Sequence, residues 1–326
     1  MKAVLCKAFG PPESLVVQHV PPLKAKPGQV VISVKACGVN FPDTLIIHGK
    51  YQFKPEMPFS PGGEVAGIVK AVGEGVTTAK VGDSVIAFTG WGGFAEEVCT
   101  DAARLIPMPP GAPFDLAASF VMTYGTSYHA LKDRANIQPG ETLVVLGAAG
   151  GVGLAAVELG KVLGARVIAC ASSDEKLAVC RKHGADETIN YSREYLKDRL
   201  KELTGGKGVD VAYDPVGGDY AEPVIRSMAW KGRYLVVGFA AGEIPKIPLN
   251  LTLLKGSSLV GVFWGSFAAQ EPKKNQQNLM ELVGMLMQGK LKPLISARYP
   301  LERAADALND IIQRKVTGKV VLVTGK

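Results

Sequence analysis

The chain has 326 residues, 47% of them hydrophobic and 21% charged, with 38 glycines and 21 prolines scattered rather than periodic. At roughly 100–200 residues per domain this is a two-domain globular length, and the composition excludes collagen-like and low-complexity architectures. The net charge of +7 lies among mixed-sign runs such as Glu194–Arg199, which describes a solvated surface rather than a nucleic-acid site, and no run approaches the roughly 18 apolar residues of a membrane span.

Five cysteines, Cys6, Cys37, Cys99, Cys170 and Cys180, form no CxxC pair. An odd number in a chain of this size suits reduced thiols and a cytoplasmic protein. The opening residues MKAVLCKAFGPPESL lack the apolar run of a signal peptide.

In chain order, residues 1–110 predict short strands between turns. Val30–Ala36, Val65–Val72 and Ser84–Phe88 are rich in β-branched residues, and Pro27-Gly28 and Pro61-Gly62-Gly63 punctuate them. Phe114–Ala135 then predicts a helix, with Asp115 near its start. Strand-like segments follow at Thr142–Leu146, Arg166–Cys170, Glu187–Asn190, Val209–Tyr213, Tyr234–Val237 and Ser258–Phe263. Helical patterns lie between most of them, as at Leu154–Leu163, Asp174–His183 and Glu194–Leu203. Apolar strands alternating with helices predict an α/β fold with a parallel sheet covered on both faces, and six strands in two βαβαβ halves make a doubly wound, dinucleotide-binding arrangement. The tail predicts amphipathic helices at Asn275–Gln288 and Leu301–Arg314 and a final strand at Lys319–Thr324. Counting six strands as a complete sheet sends that tail back to the first domain. The expected division is therefore residues 1–124 with 267–326 as a mostly β domain, and residues 125–266 as the dinucleotide-binding domain.

The chemistry is concentrated in Leu143–Gly164, LVVLGAAGGVGLAAVELGKVLG. A hydrophobic strand enters a glycine-rich turn and a helix follows, which is the context a GxGxxG-type turn requires. Its three glycine places hold Ala148, Gly150 and Gly153. Gly150 lets the backbone approach a pyrophosphate, Gly153 allows close packing of helix on strand, and the free N–H groups of Ala149, Gly150, Gly151 and Val152 face the anion. Ala148 fits at the first place if the turn is slightly wide.

An acidic residue about 20 positions beyond the turn would hold a free ribose 2′-hydroxyl. Here that place is filled by Ser172, which donates to a phosphate, and Lys176 lies one turn into the next helix as a point charge. Asp174 is read as compensating the helix dipole behind an N-cap at Ser172 or Ser173. The pattern predicts NADPH rather than NADH.

ACGVNFPDTLIIHGKY (36–51), PGGEVAGIVKAVGEGV (61–76), VGDSV (81–85), GTSYHAL (125–131), GAAGGVG (147–153), GADETINY (184–191) and YDPVGG (213–218) resemble the quinone oxidoreductase, or zeta-crystallin-like, branch of the medium-chain dehydrogenase/reductase superfamily. The resemblance covers nearly the whole chain. It implies a Rossmann domain plus a mostly β GroES-like catalytic domain. The superfamily's zinc alcohol dehydrogenases carry a Cys where this chain has Asn40 and a His-Glu where it has Gly63-Glu64, so no bound metal is expected. Cys37, His48 and Glu64 are the one conceivable ligand set, and Cys37 reads better as a small buried residue.

By the same resemblance, Asn40 would lie near the nicotinamide and a substrate oxygen. Thr126 would contact the cofactor from the first helix of the nucleotide domain. Tyr191 would sit beside the adenosine phosphate with Ser172 and Lys176. Gly238, Phe239, Phe263 and Trp264 would line the nicotinamide pocket, and Lys319 would reach the cofactor from the tail. Asp43 would organise the loop around Asn40, and Tyr51 would donate a proton or line the pocket. The implied reaction is zinc-free hydride transfer from NADPH to a small electrophile such as a quinone. Two alternatives stay open: an enone or enoyl-thioester reductase on the same scaffold, and a non-enzymatic NADPH-binding crystallin-like or RNA-binding protein. The chain lacks an RNP-type aromatic motif or a basic cluster, so no nucleic-acid or membrane partner is expected. The resemblance also implies a homodimer pairing edge strands, with Ser258–Phe263 as the candidate edge.

Overall fold

A computed structural model describes residues 1–325. The chain divides into two compact units, Met1–Met122 together with the chain from Pro293 onward, and Thr123–Lys292.

In the first unit, β1 (Lys2–Leu5) and β2 (Val16–His19) form an antiparallel ribbon. β3 (Gln29–Val39) follows the Pro27-Gly28 turn and runs eleven residues. Its apolar run is buried almost throughout, because it is central: it pairs antiparallel with β4 (Glu64–Val72) and with β6 (Glu97–Asp101). Between β3 and β4 lies α1 (Phe41–Ile46). β4 continues to β5 (Ser84–Phe88), which pairs with β7 (Leu105–Pro107).

The helix expected over Phe114–Ala135 is three pieces: α2 (Phe114–Ala117), α3 (Val121–Tyr128) and a π-helical segment, His129–Arg134. α2 ends in a turn at Ala118–Ser119, and the carbonyl of Ala118 lies where a side chain on Gly38 of β3 would point. In the π segment the Ala135 N–H bonds to the Ala130 carbonyl, five residues back, at 2.8 Å.

The second unit alternates strand and helix: β8 (Thr142–Val145), α4 (Gly151–Val162), β9 (Arg166–Ala171), α5 (Asp174–Lys182), β10 (Glu187–Asn190), α6 (Leu196–Leu203), β11 (Val209–Asp214), α7 (Ala221–Arg226), β12 (Met228–Val236), α8 (Asn250–Lys255) and β13 (Ser258–Gly261). α9 (Trp264–Gln270) and α10 (Pro272–Met287) close it. Its six strands are parallel, in the order β10-β9-β8-β11-β12-β13. This is the doubly wound sheet that the alternation predicts. Leu143–Val145 and Val167–Cys170 are fully buried, as continuous apolar strands between two helical layers must be.

Residues 267–292, expected with the first domain, lie in the second unit, so the later boundary falls after Lys292. Polar anchors explain this. Tyr128 Oη and Lys132 Nζ both donate to Glu281 of α10 at 2.5 Å, Asn278 Nδ2 donates to Asp133 at 2.7 Å, and Trp264 Nε1 donates to Asn275 at 3.0 Å. His129 also stacks on Phe267, with ring centroids 3.8 Å apart. Strand counting could not see these anchors.

The tail does rejoin the first unit from Pro293. β14 (Ile295–Pro300) pairs parallel with β15 (Lys319–Val323), and β15 pairs antiparallel with β3, completing the order β14-β15-β3-β4-β5-β7. Between them α11 (Ala304–Ile312) turns Ala304, Ala307 and Leu308 into the core.

Candidate functional site

Asn40 is where β3 ends and α1 begins. Proline at the start of α1 suits a first turn, and Asp43 at its third position reaches back to the N-terminus: its Oδ2 accepts from the Asn40 N–H at 2.7 Å. Its Oδ1 accepts from the Gly62 N–H at 3.2 Å. Asp43 therefore ties the Asn40 turn to the Pro61-Gly62-Gly63 loop. Gly62 has φ +88°, and a Cβ there would lie 2.3 Å from the Phe94 ring and 2.8 Å from Cys37 Sγ, so only glycine fits.

The Asn40 side chain is held from both ends. Lys319 Nζ donates to its Oδ1 at 2.5 Å, and its Nδ2 donates to the Gly38 carbonyl at 3.3 Å and to Glu64 Oε2 at 3.2 Å. A cationic donor on one side and a carboxylate on the other fix which end is oxygen. Glu64, fully buried at the start of β4, also accepts from the Met122 N–H at 2.9 Å. Lys319 donates in addition to the Val39 carbonyl at 3.1 Å, and its Nζ lies 3.6 Å from Glu64 Oε2. Lys319, expected among the cofactor contacts, thus spends its ammonium inside the first unit. Glu64, weighed in the sequence only as a conceivable metal ligand, is a member of the cluster.

Two carboxylates share this recess with one ammonium. Burial raises the Asp43 pKa to about 7, against the hydrogen bonds from Asn40 and Gly62 and the charge of Lys319; the Glu64 charge pushes the same way as burial. Burial likewise pushes the Cys37 thiol well above its usual range. Tyr51 is half-buried against the core edge, its ring edge-on to Phe53 at 5.8 Å. Burial and then the Asp43 charge raise its phenol. His48 Nδ1 faces the Thr44 carbonyl at 2.7 Å. Among the described residues no three His, Cys, Asp or Glu side chains gather as a metal-holding group.

In the second unit, β8 runs into the glycine-rich turn and α4 starts at Gly151 with Gly150 as N-cap. A Cβ on Gly150 would stand in van der Waals contact with the Gly147 carbonyl oxygen at 3.4 Å, its one neighbour within 4 Å among the described residues. A Cβ on Gly153 would lie 2.3 Å from that same oxygen, so this glycine brings the helix down onto the turn. The left-handed residue is Gly147, at φ +58°, whereas Ala148 is buried with its N–H bonded to the Cys170 carbonyl at 3.0 Å. The turn's conformational demand falls one residue earlier than the first glycine place, which is why alanine fits there. Ser127 Oγ donates to the Val152 carbonyl at 2.8 Å and pins α3, with half-buried Thr126, against the turn.

At the end of β9, Ser172 is exposed and Ser173 is the N-cap of α5, accepting from the Lys176 N–H at 3.4 Å. The loop after β10 lies alongside: the Tyr191 N–H bonds to the Ala171 carbonyl at 3.2 Å, and Ser192 Oγ donates to the Ser172 carbonyl at 2.9 Å. Tyr191 packs on Tyr220 with centroids 4.4 Å apart. Asp174 accepts from Asn190 Nδ2 at 3.1 Å and pairs in bidentate fashion with Arg193 at 2.8 and 2.9 Å. Arg193 carried no sequence signal of its own, since it is brought here by the return of the β10 loop.

Gly238 and Phe239 follow β12, with Phe239 against the Asp214–Gly217 loop, whose N–H groups at Val216 and Gly217 donate to Asp214 at 2.7 and 2.8 Å. Phe263 is exposed, whereas Trp264 is buried against Gly125 of α3 and anchors α9.

Comparison with known proteins agrees with both units. The alcohol dehydrogenase GroES-like domain model matches residues 26–110, and the zinc-binding dehydrogenase model matches residues 151–283. A quinone oxidoreductase-like protein 2 homolog of Nematostella vectensis is 43% identical over 99% of this chain and 89% of its own length. The quinone oxidoreductase of Pseudomonas aeruginosa is 37% identical over 99% of both chains. The solved structure of Escherichia coli quinone oxidoreductase, complexed with NADPH, superimposes with a TM-score of 0.94 at 30% identity, over 99% of this chain and 100% of that one. The chain is an oxidoreductase-family protein and belongs to the quinone oxidoreductase branch of the medium-chain dehydrogenase/reductase superfamily.

Proposed function

We propose that this chain is an NADPH-dependent reductase that delivers hydride to quinones without a catalytic zinc. The observation that carries the zinc-free reading is the buried Lys319 ammonium, which brings positive charge to the recess of Asn40 and Glu64 from the protein itself. The phosphate turn fits the cofactor: no side chain stands on Gly150 at the head of the helix, and the N–H groups of Ala149, Gly151 and Val152 lie at the start of α4, whereas the Gly150 N–H, expected to face the anion, is spent on the Gly147 carbonyl at 3.0 Å. The NADPH complex of the E. coli relative supports the same choice.

In this reading Ser172 and Lys176 hold the 2′-phosphate and Tyr191 packs beside the adenosine. Thr126, Gly238, Phe239, Phe263 and Trp264 shape the nicotinamide pocket. NADPH, when bound, supplies the hydride. Tyr51 keeps its phenolic proton through the neutral range and donates a hydrogen bond from Oη to a reduced oxygen. Burial raises the pKa of the Asp43 carboxyl to about 7, well above its usual range. Both amide hydrogens of Asn40 are committed to Gly38 and Glu64, so Asn40 presents a fixed amide rather than a free donor. Lys319 positions Asn40.

The unpaired edge of β13, with exposed Leu249, Leu253, Leu254 and Trp230 nearby, supports a homodimer through that edge. The five cysteines are free thiols, which supports a cytoplasmic setting.

Following NADPH oxidation at 340 nm tests the reading, with 1,4-benzoquinone, 9,10-phenanthrenequinone, a simple enone and crotonyl-coenzyme A as acceptors and NADH as control. Turnover of the quinones with NADPH, unchanged by chelator, is expected. Turnover confined to the enone or thioester replaces the quinone reading with an enone or enoyl-thioester reductase. Tight NADPH binding with no turnover replaces it with a non-enzymatic binding protein.

A further inference from the structure

Asp174 is the first residue of α5, two positions beyond Ser172, and its side chain is half exposed. A carboxylate there suits a free ribose 2′-hydroxyl and repels a 2′-phosphate. On charge alone it opposes the NADPH reading on which this inference rests.

The structure answers with Arg193. Its guanidinium closes on both Asp174 oxygens at 2.8 and 2.9 Å, and Asn190 Nδ2 supplies a third hydrogen bond at 3.1 Å. The other acid of that turn, Glu175, is engaged with Ser173. Exposed ion pairs contribute little to stability, so folding gives this pair little purpose. Its location is specific: the segment carrying Arg193 is tied to the end of β9 by the Tyr191 N–H and by the Ser192 hydroxyl on the Ser172 carbonyl.

We infer that Arg193 is a cofactor-specificity residue that masks Asp174. The bidentate pair turns a carboxylate that favours a 2′-hydroxyl into a neutral partner. Ser172, Lys176 and the unspent positive face of the guanidinium then receive a 2′-phosphate. Specificity is thus carried by an arginine twenty-one residues beyond the serine that replaces the usual acid.

Calorimetric titration of the apo protein with NADPH, NADH and 2′,5′-ADP tests this without turnover. Arg193→Ala should weaken NADPH and 2′,5′-ADP by about 10- to 100-fold, since charge-assisted contacts are lost and an acid is unmasked, and NADH should hold or tighten. Asp174→Asn, which keeps an acceptor for Asn190, should leave NADPH as tight or tighter. The double variant should recover about tenfold of the loss of Arg193→Ala. Recovery is the diagnostic outcome: a double variant as weak as Arg193→Ala overturns masking in favour of direct phosphate contact alone. An Arg193→Ala protein that keeps its NADPH preference overturns the inference while leaving the proposed function standing. A wild-type protein that fails to bind NADPH overturns the proposed function instead. Melting temperatures of all three variants within a few degrees of wild type establish that folding is not the cause.

Discussion

The Lys319 ammonium donates to the Asn40 amide oxygen across 2.5 Å, joining β15 to the turn that ends β3. The same nitrogen is the cation nearest the fully buried Glu64 carboxylate, at 3.6 Å. Removing one partner of a buried pair leaves the other charge uncompensated, at a cost of about 3–5 kcal/mol. Lys319→Met should therefore lower the melting temperature by many degrees. Lys319→Met with Glu64→Gln should recover part of the loss. A single variant as stable as wild type in a thermal melt would remove Lys319 from the architecture of the recess.

Asp43 gives stability a pH dependence of defined sign. Its folded pKa, about 7, stands above the ordinary 3.8, so between those values the folded state binds more protons than the unfolded chain. That contribution is fully present below pH 3.8 and is lost as pH rises through 7. From pH 5 to pH 8 the loss of this contribution should be on the order of a few kcal/mol. In Asp43→Asn the difference between urea midpoints at the two pH values should shrink accordingly. An unchanged difference would assign the pH dependence to other groups.

Gly153 tests the phosphate turn. Gly153→Val places a side chain where only 2.3 Å separates Cβ from the Gly147 carbonyl oxygen. Overpacking of this kind costs roughly 1–3 kcal/mol and here displaces the start of α4. NADPH affinity, read by quenching of protein fluorescence, should fall by at least about tenfold. Normal affinity would move the pyrophosphate elsewhere.

Light scattering on a sizing column should return twice the 34.4 kDa of one chain. Leu253 and Leu254, exposed at 79% and 66% on α8, supply apolar surface beside the β13 edge. Leu253→Asp with Leu254→Asp should shift the mass toward one chain. A wild-type protein that elutes as a monomer refutes the dimer.

The sequence made the sheet of the second unit legible because its strands are apolar runs bounded by turns. Glu187–Asn190 falls where punctuation places it, as Ser84–Phe88 does in the first unit. The glycine turn was legible for the same reason, as a local motif. What escaped was non-local. α10 belongs to the second unit through Glu281 and Asn278, whose partners lie about 150 residues earlier. Lys319 turns inward because β15 lands beside β3, and Arg193 meets Asp174 because a loop returns past the end of β9. The break in Phe114–Ala135 escaped too, since helical residues fill a π turn as readily as an α turn.

The placement of β15 between β14 and β3 has a consequence for synthesis. The second unit is one uninterrupted stretch, so every contact it needs exists once Lys292 has left the ribosome. The first unit has by then made β3 through β7 but lacks the strand that covers the flank of β3, and Asn40 and Glu64 wait beside an empty place for their cation. The nascent chain thus holds the whole of the second unit while the recess of Asn40 and Glu64 is still open, and the ammonium of Lys319 arrives as the piece that closes it.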